Sequence, residues 1–69
     1  MDILKVIEVL AESDSSWEDA AQNAVRKVAK SVTHIKSIYV NEMSACVDGD
    51  KIVKYRINAK ISFVVNRGS

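Results

Sequence analysis

The stretch that decides the fold is Lys51 to Val65, K-I-V-K-Y-R-I-N-A-K-I-S-F-V-V. Val53, Tyr55, Ile57, Ala59, Ile61, Phe63 and Val65 are apolar or aromatic, and Lys54, Arg56, Asn58, Lys60 and Ser62 fall between them. Period-two alternation of this kind marks a strand with one buried face and one polar face. The β-branched and aromatic residues suit a pleated, half-buried surface. At ~3.4 Å per residue the run spans ~50 Å, which is long for a chain of 69 residues.

Working backward, Asp48-Gly49 is a hairpin-turn signal. It joins this strand to an earlier one, Ile35 to Val47. A two-residue turn there pairs Val47 with Asp50. It sets Val40 against Ile57 and Ile38 against Ala59 on the apolar face. On the other face Asn41 meets Arg56, Tyr39 meets Asn58 and Ser37 meets Lys60. A slip of one residue would carry every side chain to the opposite face.

The spacing of apolar residues predicts a helix from Trp17 to Val32. Ala20, Ala24, Val28 and Val32 recur every four residues, with Ala21, Val25 and Ala29 beside them. A stripe made mostly of alanine lets the helix sit close against a sheet. Its ~24 Å covers about half of the long strand. Ser16 with Asp19, and Ser15 with Glu18, each offer helix-start chemistry at the end of a polar turn, Ala11 to Ser16. Trp17 reads as a packing residue at the helix end. Ile3 to Leu10 is a first strand of poor alternation, which implies cover on both faces, one of them from a neighbouring subunit.

The order strand, helix, strand, strand places the first two strands parallel, with the third antiparallel between them. The expected class is therefore α+β, one helix on a three-stranded sheet. The helix covers Ile57, Ala59 and Ile61. The opposite face presents Lys54, Arg56, Asn58 and Lys60 with Ser37, Tyr39, Asn41 and Met43, as an assembly surface or ligand wall.

Residues 1–69 form one domain, whose 48% hydrophobic and 28% charged residues are ordinary for a soluble protein. A core of this size is marginal, and such chains lean on disulfides, metals or oligomerisation. Cys46 is the only cysteine, so an intrachain disulfide is impossible. With His34 as the only histidine, a structural zinc site within one chain is excluded as well. Oligomerisation remains. A net charge of +1 gives no footprint for nucleic acid or an anionic membrane. No apolar run is long enough to span a bilayer. The first residues carry no signal pattern, so a cytoplasmic location is expected. His34 has no acidic or thiol neighbour in sequence, and no nucleophile–base pair, glycine-rich phosphate loop or metal motif is visible, so no enzyme is expected. Glu42, Asp48 and Asp50 from several copies could together offer calcium its oxygens. A solvated turn is the plainer reading.

The segments K-V-I-E-V-L, S-S-W-E-D-A-A-Q-N-A-V and V-D-G-D-K-I-V-K-Y-R-I-N-A-K-I-S-F-V-V together resemble the dodecins, from Lys5 to Val65. The resemblance implies a three-stranded antiparallel sheet folded around one helix. It also implies assembly into a hollow homododecamer, and binding of riboflavin or FMN between subunits for storage rather than catalysis. In that family a tryptophan of the second strand stacks on the flavin ring and a glutamine of the third strand hydrogen-bonds it. Those positions fall on Ser37 and Arg56 here, with Tyr39 beside Ser37. A serine offers no π surface, and Arg56 offers a charge that can stack, bind an anion or pair with Glu42 or Asp50. The expected ligand site is therefore an altered flavin pocket at Ser37, Tyr39 and Arg56, with flavin binding weak or lost. An intact flavin-storage protein, with the ring held by other residues, is the alternative.

Overall fold

β3 (Lys51–Val64) is the central strand of a three-stranded sheet, flanked by β1 (Leu4–Ser13) and β2 (Ile35–Asp48), with α1 (Trp17–Val28) on one face. The computed structural model describes residues 2–65. Both flanking strands run antiparallel to β3, as the order of elements predicts. Among the described residues, no helix is long and apolar enough to cross a membrane.

The helix packs on the face expected for it. Ala20, Ile57, Ala59 and Ile61 are almost wholly shielded, and Ala24 and Phe63 are buried beside them. Alanines at the contact allow the close approach, and the larger β3 side chains fill the space between the layers. On β1, Ile7, Val9, Ala11 and Ser13 face inward, and Leu4, Val6, Glu8, Leu10 and Glu12 are exposed.

α1 begins where expected. The Ser16 side chain accepts from the Asp19 amide at 2.9 Å, which makes Ser16 the N-cap. It ends at Val28, one turn before the predicted Val32. Ser31, Val32 and Thr33 are weak helix formers. The chain leaves instead through short bonds from Lys30 to Lys27 and from Ser31 to Val28. His34 then adopts φ 61°, a left-handed conformation that histidine visits more readily than most residues.

β1 runs to Ser13 rather than stopping at Leu10. Ala11, Glu12 and Ser13 continue the ladder opposite Ile57, Arg56 and Tyr55, so the expected polar turn is confined to the residues after Ser13. The hairpin register also differs from the expected one. Asp48 pairs with Lys51, so the turn is Gly49-Asp50. Gly49 takes φ 67°, which the first central position of such a turn requires. Val53, Asn41 and Lys36 are then extra residues at irregularities in the ladder. As a result Ile57 meets Met43, Ala59 meets Val40 and Arg56 meets Ser44, replacing Val40, Ile38 and Asn41. Ser37 meets Ser62 and Tyr39 meets Lys60, in place of Lys60 and Asn58. Met43 thereby joins the helix side of the sheet, and Glu42, Ser44 and Cys46 take the far side.

The sheet outruns its cover. β1 stops opposite Tyr55, and beyond it the β2–β3 hairpin continues as two strands. Val47, Ile52 and Val53 lie there largely exposed.

Candidate functional site

The sheet face turned away from α1 carries all three expected site residues. β3 sends Lys54, Arg56, Asn58, Lys60 and Ser62 to this face, and β2 adds Ser37 and Tyr39 at one end. The Ser37 and Ser62 hydroxyls lie 2.6 Å apart. Tyr39 is two-thirds exposed, next to Ser37 on the same side. Arg56 sits six residues from Ser62 along β3, or ~20 Å. One chain thus brings Ser37 and Tyr39 together and leaves Arg56 apart from them. A ligand touching all three would have to be shared between copies.

Arg56 occupies a concavity of about 580 Å³ lined by Leu10, Glu12, Glu42, Ser44, Arg56 and Asn58, with Ala11 and Ile57 beneath. Its Nε donates to Glu12 Oε2, directly across the β1–β3 ladder. The partner is therefore Glu12, not Glu42 or Asp50. The hydrogen bond to Glu12 is the main cause that raises the Arg56 pKa further above its ordinary value. Asn41, one of the two extra residues of β2, reaches back to donate to Asn58 Oδ1 at 3.3 Å.

Two groups escaped the reading of the sequence because both lie in the stretch taken for a turn. Glu12 is one. Ser13, buried at the helix entrance, is the other. Its Oγ donates to Asp19 Oδ2 at 2.7 Å and accepts from the Ser15 and Ser16 amides at 2.9 and 3.3 Å. That hydrogen bond from Ser13 is the first cause lowering the Asp19 pKa below its ordinary value. The periodicity of β1, carried past Leu10, was the available signal for both.

Trp17 packs, as expected. Its ring meets Tyr55 edge-on at 4.9 Å, and its indole N–H is bonded to the backbone of β2. The acidic residues considered for a metal are separate within the chain. Asp48 is at the hairpin turn and Glu42 pairs with Asn58 further down the strand. Among the described residues, no three metal-ligating side chains gather in one place.

The Dodecin family profile matches residues 3–66. The chain is 38% identical over 63 residues to the calcium dodecin of Mycobacterium tuberculosis, covering 91% of this chain and 89% of that protein. The crystal structure of a calcium dodecin from that organism, described as having a novel calcium-binding site, superposes with a TM-score of 0.80. It is 34% identical, and the match covers 97% of this chain and 96% of that one. A dodecin of Thermus thermophilus gives a TM-score of 0.90 at 19% identity, covering 97% of this chain and 100% of that one, a likeness of fold alone. The sheet order, the helix on its inner face and these matches agree: the chain belongs to the dodecin family.

Proposed function

We propose that this chain is a non-enzymatic, self-assembling binding protein, a homododecamer in which flavin binding is weak or lost. The observation that carries this reading is the Ser37–Ser62 hydroxyl pair, 2.6 Å apart, at the position where the family's stacking tryptophan would stand. Aromatic stacking contributes roughly 1–3 kcal/mol per ring, and a serine contributes none of it. Arg56, at the position of the hydrogen-bonding glutamine, is held by Glu12. The remaining wall is polar, and its concavity sets Glu12 and Glu42 against Arg56, which suits a small polar ligand shared between subunits better than a flavin ring that needs a stacking plane. Native mass spectrometry of purified protein, followed by denaturation and identification of anything released, tests both assembly and ligand. Twelve chains without flavin are expected. Stoichiometric riboflavin or FMN in the released fraction would restore the flavin-storage reading.

A second reading, calcium binding, is favoured by the 38% identity to a protein named calcium dodecin. Calcium takes six to eight oxygens, so the site would draw Asp48, Asp50 or Glu42 from several copies. Isothermal titration of the assembled, chelator-washed protein with calcium tests it. A binding isotherm lost in Asp48→Asn with Asp50→Asn supports this reading, and no heat of binding removes it.

A further inference from the structure

Two exposed features have no partner among the described residues. The first is a groove of about 490 Å³ between α1 and β1. Its floor is apolar, from Val9, Ala11, Ala24 and Val28, and Arg26, Lys27 and Lys30 stand at its rim. The second is the two-stranded hairpin tip. Val47, Ile52 and Val53 are 62%, 49% and 45% exposed there. Asp48 precedes the turn and Asp50 is its second residue, and among the described residues neither takes part in an ion pair. With Lys51 counted, the tip carries one net negative charge, against three cations at the groove.

The tip cannot enter the groove of its own chain. Leu10, at the groove, pairs with Asn58, seven residues along β3 from Lys51, or ~23 Å away. An extended two-stranded ribbon with no third layer is marginal by itself, so the overhang needs cover from outside. We infer that the hairpin tip of one copy seats in the α1–β1 groove of the next. Val47, Ile52 and Val53 meet the apolar floor, and Asp48 and Asp50 meet Arg26, Lys27 and Lys30. The two patches differ, so the contact closes either reciprocally across a two-fold axis or head-to-tail around a ring. The inference rests on the self-assembly proposed above and adds which surfaces meet.

Carbodiimide cross-linking of the wild-type protein, mixed from isotopically light and heavy chains, tests it. Peptides joining Asp48 or Asp50 to Lys27 or Lys30 in mixed isotopic form are expected. In parallel, Arg26→Glu with Lys27→Glu should raise the concentration for half-assembly at least tenfold. Adding Asp48→Lys with Asp50→Lys should reverse most of that loss, which a merely misfolded chain would not show. A wild type that assembles with its cross-links elsewhere, and a charge-reversed chain that assembles at unchanged concentration, would overturn this contact and leave the groove to another occupant. A wild type that stays monomeric would instead sink self-assembly itself.

Discussion

Trp17 Nε1 and the Ser44 carbonyl are joined by a 2.8 Å hydrogen bond across 27 residues of sequence. It ties the first residue of α1 to the outer strand β2, while the same ring meets Tyr55 of β3 edge-on. Trp17→Phe removes the donor and keeps an aromatic face, so it should cost about 0.5–1.5 kcal/mol. Trp17→Ala also loses the ring contact. Because Trp17 is only half-buried, the total should stay below the ~3–5 kcal/mol of a fully buried aromatic. Urea denaturation at one fixed protein concentration separates the two. Equal losses would show that the ring contact with Tyr55 contributes nothing.

Asp19 provides a pH signature at the helix entrance. Hydrogen bonding, led by Ser13, lowers its pKa from the ordinary 3.8. The unfolded chain therefore binds more protons in acid than the folded one, and stability rises with pH there. The contribution is complete above that ordinary value and fades as pH falls through the lowered folded value. Ser13→Ala should flatten this acid dependence and lower the melting temperature at pH 7, because two backbone amides lose their acceptor. Thermal melts between about pH 2 and 6 give the slope, and an unchanged slope would remove Ser13 from the account.

Gly49 stands in open space, with nothing within 4 Å of an added Cβ, but at φ 67°. Gly49→Ala should therefore cost only the backbone penalty of a left-handed conformation, about 1–2 kcal/mol. Gly49→Asn should cost less, since asparagine tolerates that region. If alanine and asparagine melt alike, the turn has rearranged.

The ligand proposal yields a gain-of-function test. Ser37→Trp with Arg56→Gln supplies the stacking plane and the neutral hydrogen-bond partner that the wild type lacks. Riboflavin affinity should rise at least tenfold, since one stacked ring contributes roughly 1–3 kcal/mol and 1.4 kcal/mol is about tenfold. Quenching of riboflavin fluorescence reads it directly. Equal quenching by wild type and variant would show that Ser37 is not the determinant.

The start of the helix, its cap and the face it covers were legible in the sequence because each is set by local spacing, whereas its end at Val28 was not. Ser16 precedes Trp17, alanines recur every four residues, and Ile57, Ala59 and Ile61 alternate without interruption. The hairpin register was not legible. Gly49 had to move into the first position of the turn, and three extra residues slid the ladder in ways that apolar matching alone does not encode. Of the candidate site, the shared face of Ser37, Tyr39 and Arg56 was read from the expected register, and it survives because that register is off by two residues at Ser37 and Tyr39, which preserves the face. The Glu12 partner did not, because Ala11 to Ser13 look polar and turn-like until their pairing with β3 is known.

Val53 and Asn41 are one surplus residue on each strand, and between them β2 is shifted by one position relative to the ladder on either side. Each surplus residue stands outside the ladder, and the pairs on either side of it do not depend on it. Losing Asn41 alone would make Val40 and Glu42 consecutive opposite Ala59 and Asn58, so every side chain keeps its face and only the local bend and the Asn41–Asn58 hydrogen bond are lost. Losing both would leave one unbroken ladder from Ser37 to Asp48, with Glu42 still on the far side and Met43 still on the helix side. Single-residue deletions are therefore best tolerated at Asn41 and Val53, while a deletion at a paired position such as Ser44 reverses inside and outside as far as the next irregularity.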